Sequence, residues 1–278
     1  IGGGFRIPEI MKDAGFDIIE IGTTNKTRLK DYRDALESGP AILVSVHPSN
    51  FVIEGFTEKP TLHELTDLAV ELDVPFFYDA GTLTIDEIRQ LPKGIDAISL
   101  STDKTLAGPQ GGLILARPKI QKELLKNNLY RALRLDKIAI SGLEAVFESH
   151  IAKTDRADLP AAQMLHGSSH PSEIQQRAQA LSQNQFTHFE LKEISIQASL
   201  GGGSWPGESW NSFGVHLEPK SSELNPSKLA HLLRTGRQPI VGMIQDDRVC
   251  LSLATVLPEQ DQSLLTALRE LDLALPRL

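Results

Sequence analysis

Five short, mostly apolar runs recur through the first half of the sequence: Phe16–Ile21, Ala41–Val46, Val74–Tyr78, Ile95–Leu100 and Leu113–Ala116. Runs of this length that are apolar on both faces suit strands buried in a parallel sheet. The first four begin 25, 33 and 21 residues apart, which leaves room for a crossover helix between neighbours. One such helix is written out in Thr61–Val70. Thr61 and Glu64 form a capping box, and Leu62, Leu65, Leu68 and Ala69 line one face. Alternation of strand and helix predicts a doubly wound α/β layer, a mostly parallel sheet with helices on both faces.

Composition narrows the class. At 278 residues the chain can form one large domain or two smaller ones. Its one cysteine, Cys250, excludes a disulfide framework and any cysteine-built zinc or iron–sulfur cluster. No apolar stretch approaches the roughly 20 residues of a membrane-spanning helix, so a cytoplasmic protein is expected. The sequence opens at Ile1 without an initiator Met, as expected of a fragment or processed product. Beyond residue 150 the texture changes. Residues 151–175 read as a linker, and 176–278 as a small α+β domain following a large domain over 1–150. In that second part, helices are expected at about 173–183, 226–235 and 259–273, and extended segments near 192–199 and 212–217. A hairpin is expected from Pro239–Ile244 and Arg248–Leu253 around Gln245-Asp246-Asp247.

Ligand sites of open α/β sheets lie at the carboxyl ends of the strands. Asp79 ends the run Phe76-Phe77-Tyr78, and Lys104 follows Ser99-Leu100-Ser101-Thr102-Asp103, just before Gly108-Pro109-Gln110-Gly111-Gly112. An acid and a lysine on successive strand ends suit pyridoxal phosphate: the carboxylate keeps the pyridine nitrogen protonated and the lysine forms a Schiff base. Spacing alone favours a helix-capping Asp and a solvated loop Lys. No metal site is expected, because the eight histidines lack His-Glu-x-x-His spacing. A Gly-x-Ser-x-Gly elbow is absent, which argues against an α/β-hydrolase.

Several ordered motifs go further. They are Ile1-Gly2-Gly3-Gly4-Phe5-Arg6-Ile7-Pro8, Glu20-Ile21-Gly22-Thr23-Thr24-Asn25-Lys26-Thr27, and Val46-His47-Pro48-Ser49-Asn50 running on to Gly55-Phe56-Thr57. Asp103–Gly112 and Arg131-Ala132-Leu133-Arg134-Leu135-Asp136-Lys137 follow. Together they resemble the bacterial selenocysteine synthases (L-seryl-tRNA(Sec) selenium transferases), a fold-type I family of pyridoxal phosphate enzymes.

The resemblance implies Lys104 as the Schiff-base lysine, Asp79 as partner of the ring nitrogen, and Asp103 as a catalytic group handling protons or tuning Lys104. It implies a cofactor or substrate contact for His47, substrate contacts for Ser49 and Asn50, and a site for the anionic selenium donor at Arg131 and Arg134. Local charge agrees with this last point. Residues 117–137 carry seven basic side chains against Glu123 and Asp136, or +5 within a chain of net charge −8. Guanidinium forks bind phosphate-like oxyanions bidentately. A solvated helix face is the competing reading.

The implied reaction is a β-replacement on seryl-tRNA(Sec): the hydroxyl leaves to give an aminoacrylate, and selenium from selenophosphate adds. Thr23, Thr24 and Asp31 lie in a motif that in the family contributes subunit contacts, so a homo-oligomer of dimers, even a ring of them, is expected. An acidic chain binds polyanions poorly in general, so any tRNA contact must be local. Three departures stand out. The family's long amino-terminal portion is missing. Gly81-Thr82-Leu83 replaces a Gly-Ser-Gly-like run in a shortened stretch before Lys104. Met243, Ser252 and Ala254 stand where charged residues are usual. A lyase acting on a small amino substrate and a non-catalytic relative remain the alternatives.

Overall fold

The computed structural model describes residues 6–39, 41–48, 51–151, 171–198 and 209–275. These residues fall into two compact units, one ending with the helix that reaches Ile151 and the other built from 171–198 and 209–275.

The first unit starts with helices α1 (Ile7–Asp13) and α2 (Leu29–Leu36). Its sheet has strands β1 (Leu43–Val46), β2 (Phe76–Gly81), β3 (Ala97–Ser101) and β4 (Gly112–Ala116), in that spatial order. The first three are parallel, joined by crossovers through α3 (Leu62–Glu71) and α4 (Ile85–Gln90). β4 instead returns antiparallel to β3, with Ser101 opposite Gly112. The Thr102–Gly111 connection holds no helix, so it cannot carry the chain back to the other end of the sheet.

The Thr61–Glu64 capping box forms as expected: Thr61 Oγ1 accepts from the Glu64 amide, and the Glu64 carboxylate accepts from the Thr61 amide at 2.7 Å. α3 then lays Leu65, Leu68 and Ala69 onto a core with Leu43, Phe76, Tyr78, Ala80, Leu100 and Leu106. Three helices follow β4: α5 (Pro118–Lys126), α6 (Asn128–Leu133) and α7 (Lys137–Ile151).

One expected strand is absent. Phe16–Ile21 belongs to no ladder among the described residues, and Phe16 and Ile19 are exposed. Asp17 and Glu20 put an acid on each of its faces, unlike Phe77 of β2, which is paired to β1 on one side and β3 on the other.

The second unit is a sheet of antiparallel pairs, in the order β5 (Phe189–Ala198), β6 (Trp210–Pro219), β8 (Arg248–Ser252), β7 (Met243–Gln245). Helices α8 (Pro171–Ser182), α9 (Pro226–Thr235) and α10 (Asp261–Ala274) share one core with Phe189, Leu191, Val215, Leu217, Val249 and Leu251. The expected β7–β8 hairpin is present. Asp246 and Asp247 both take left-handed φ values, 49° and 58°, as the tightest hairpin turns require.

Candidate functional site

Asp79 is the fourth residue of β2, opposite Val46 on one side and Ser99 on the other. Beyond it the β2–β3 register slips, so that Gly81 rather than Ala80 meets Leu100, and Gly81 adopts φ +60°. A slip of this kind bends the strand end and re-aims its side chains. The half-buried Asp79 carboxylate receives a 2.7 Å hydrogen bond from the Ser99 hydroxyl at Oδ1. Its Oδ2 has no hydrogen bond among the described residues.

His47 follows β1 directly, and its amide donates to the Asp79 carbonyl at 2.8 Å. Its Nδ1 lies 3.5 Å from the Tyr78 hydroxyl. Burial pushes the His47 imidazole below its ordinary pKa. Glu87 and Asp79 oppose that shift, while Lys59 and Lys104 reinforce it. The ring is therefore neutral at pH 7, and the charges of both Asp79 and Lys104 reach it. Burial, with Glu87 and Asp79, raises Tyr78 to about 12, so its phenol keeps its proton.

Lys104 sits in the loop after β3, a loop closed on itself by several bonds. The Thr102 amide donates to Gly111 O at 3.0 Å, the Gly108 amide to Thr102 O at 2.8 Å, and the Ala107 amide to Lys104 O at 2.9 Å. The wholly buried Thr102 hydroxyl donates towards Pro109 O and Gly111 O, at 2.6 and 3.0 Å. Ala107 is held at φ 59°, a conformation that costs a non-glycine residue free energy. Lys104 itself is half-buried, and its ammonium makes no hydrogen bond or ion pair among the described residues. The neighbouring Asp103 is exposed.

The arginine segment is packed onto the same loop. A Cβ at Gly111 would lie 2.9 Å from Leu135 Cδ1, and one at Gly108 would lie 2.6 Å from Leu143 Cδ2. Glycine at both positions thus lets Leu135 and α7 close on the lysine loop. Arg131, in the last turn of α6, and Arg134, its C-cap, are exposed and make no ion pair among the described residues. Of the other basic groups nearby, Arg117 pairs with Asp96 at 3.1 Å and Lys126 with Glu123 at 3.2 Å.

Of the sequence-predicted residues, Asp79 and His47 stand side by side at the carboxyl ends of β2 and β1, Lys104 lies in the loop after β3, near enough for its charge to act on His47, and Arg131 and Arg134 are tethered to the Lys104 loop through Leu135. Ser49 and Asn50 lie outside the described residues, as does the Gly2-Gly3-Gly4 triplet. Thr23 and Asp31 serve local turns: the Thr23 hydroxyl lies 3.0 Å from Lys26 O, and Asp31 accepts the Arg28 amide at 2.7 Å. Sequence reading missed Ser99, Tyr78, Thr82 and Thr105. Their only signal was a hydroxyl beside a strand end.

The L-seryl-tRNA(Sec) selenium transferase of Carboxydothermus hydrogenoformans is 34% identical over 275 residues, covering 94% of this chain and 58% of the relative. That of Aquifex aeolicus is 35% identical over 286 residues, covering 98% and 62%. The chain thus spans about three-fifths of the length of these relatives. Among solved structures, D-glucosaminate-6-phosphate ammonia-lyase superposes with a TM-score of 0.61 at 19% identity, over 95% of this chain and 66% of that one. That likeness supports the expected fold-type I α/β architecture and speaks to fold alone. The sequence model of the SelA family, described as L-seryl-tRNA selenium transferase, matches residues 1–257, and the chain belongs to that family.

Proposed function

We propose that this chain supplies the lysine and the acid of a pyridoxal phosphate enzyme that converts seryl-tRNA(Sec) to selenocysteyl-tRNA(Sec), with selenophosphate as the selenium donor. The observation that carries the reading is the placement of Asp79 at the end of β2 beside His47, with Lys104 in the loop that follows the adjacent strand β3. The residues present fit the cofactor. Among the described residues, the Lys104 ammonium has no carboxylate partner, and the Asp79 carboxylate has one oxygen anchored by Ser99 and the other without a hydrogen bond. When bound, pyridoxal phosphate supplies an aldehyde for an amine and a ring that takes up the electrons released when a Cα proton is lost.

Lys104 would hold the cofactor and, once displaced by the seryl amine, take the proton from Cα with its own nitrogen. Asp79, oriented by Ser99, would keep a proton on the ring nitrogen. Neutral His47 can lie against the ring or the substrate without adding a second positive charge beside Lys104. Exposed Asp103, next to the lysine, is suited to exchanging protons with water. Arg131 and Arg134 present guanidinium groups that are unpaired among the described residues for the oxyanion of the donor. Ser49 and Asn50 are assigned to the substrate on family grounds.

The first unit would form part of the cofactor-binding domain (residues 1–150), followed by a linker (151–175) and the small domain (176–278). A cytoplasmic homo-oligomer of dimers suits a tRNA-dependent reaction, and no helix among the described residues is long and apolar enough to cross a membrane. The test is a reaction of the complete gene product with seryl-tRNA(Sec), selenophosphate and pyridoxal phosphate. Selenocysteyl-tRNA(Sec) is expected. Turnover of a free amino acid or amino sugar, with no aminoacyl-tRNA product, would instead make the protein a small-molecule lyase.

A further inference from the structure

Two buried hydroxyls join the loop that carries Lys104 to the strand end that carries Asp79. Thr82 is 0% exposed and Thr105 is 3% exposed, and their Oγ1 atoms lie 2.9 Å apart. The Thr105 hydroxyl also donates to the Leu83 carbonyl at 2.8 Å. A hydroxyl has one proton. With the Thr105 proton committed to Leu83, the Thr82 hydroxyl must be the donor of the pair. The result is a directed chain, Thr82 O–H to Thr105 Oγ1 and Thr105 O–H to Leu83 O, in a site closed to water.

This chain occupies a decisive place. Thr105 is covalently next to Lys104, while Thr82 follows Asp79 by three residues, just past the register slip and the left-handed Gly81. The Lys104 loop is tied to itself by Thr102 and to α7 by packing at Gly108. Among the described residues, the side-chain hydrogen bonds that join it to the β2 end are those made by Thr105. Buried hydroxyls left without partners are costly, so the two segments cannot separate without breaking both bonds in a dry environment.

We propose that Thr105 and Thr82 form a positioning pair, which sets how the Lys104 amine stands relative to the Asp79 carboxylate. The proposal rests on the reading of Lys104 as the cofactor lysine. The pair acts through Lys104 and touches neither cofactor nor substrate. Thr105→Val removes the acceptor for Thr82 and the donor for Leu83 at nearly constant volume. Thr82→Val removes only the first bond. Thr105→Ser retains both.

The test uses the complete protein with pyridoxal phosphate as the probe. Borohydride-trapped label on Lys104 is followed over time by peptide mapping, and folding is checked by thermal melting. Small displacements of a reacting group cost rate steeply, so Thr105→Val is expected to slow labelling about tenfold and Thr82→Val about threefold. Thr105→Ser should label at the wild-type rate. Labelling at the wild-type rate in both valine variants, even with lowered melting temperatures, would overturn the positioning role. Should Thr105→Val fail to fold, Thr82→Val decides in the same two directions. Absence of label on Lys104 in the wild-type protein would instead remove the underlying reading of that lysine.

Discussion

Ser99 holds Oδ1 of Asp79 from the neighbouring strand, at 2.7 Å and from the register position directly opposite. The bond lies at the last aligned pair before the ladder slips, so it fixes the carboxylate where the backbone begins to bend away. One oxygen is committed to the sheet, and the other is left for a ligand.

Ser99→Ala should therefore loosen the acid without removing it. A bond of this kind contributes about 1–2 kcal/mol to stability. Chemical denaturation should show a loss of that order, and a spectroscopic titration should show several-fold weaker pyridoxal phosphate binding. Asp79→Ala should abolish the visible band of bound cofactor. Unchanged binding in both variants would separate Asp79 from the cofactor.

Tyr78 ties the same region to pH. Its phenol is raised to about 12 by burial and by the charges of Glu87 and Asp79. An unfolded tyrosine ionises near 10, so between about pH 10 and 12 the unfolded chain sheds this proton first. The stabilisation is complete below pH 10 and is lost as pH rises through 12, on the order of 2 kcal/mol. Denaturation midpoints across that window should fall more steeply for the wild type than for Tyr78→Phe.

Arg131→Ala and Arg134→Ala test the anion site. Neither side chain is paired among the described residues, so truncation should leave folding within about 0.5 kcal/mol of wild type. Each is expected to raise the selenophosphate requirement at least about tenfold, as loss of a charge-assisted bidentate contact does, while cofactor binding stays constant. Equal losses in donor use and cofactor binding would remove the anion-site role.

The core offers a control remote from the chemistry. Leu68 is 1% exposed in the core it shares with Leu43, Phe76 and Tyr78, and Leu68→Ala should cost about 2–5 kcal/mol through lost burial and the cavity left behind. Thermal or chemical denaturation measures it directly.

What could be read in advance follows from these cases. α3 was legible because its cap and its apolar face are local signals, and the β7–β8 hairpin because its turn residues sit between two apolar runs. Asp79 was legible as a strand-end acid, and His47 and Lys104 as strand-end residues inside recognisable motifs. The failure at Phe16–Ile21 has a physical cause: a short apolar run becomes a strand only where a ladder partner lies alongside it. Ser99, Thr82 and Thr105 escaped notice for a related reason. A hydroxyl acquires meaning from what stands across from it, and strand register together with the fold of the 102–111 loop decides that. The same holds for Leu135, whose role in tethering the arginines depends on the bare backbone of Gly111.

The most direct test of the central claim is reductive trapping. The complete protein is incubated with pyridoxal phosphate, treated with borohydride, digested, and analysed by mass spectrometry. The account predicts a phosphopyridoxyl group on Lys104, and its loss in Lys104→Ala. Label on a different lysine, or none at all, would contradict it.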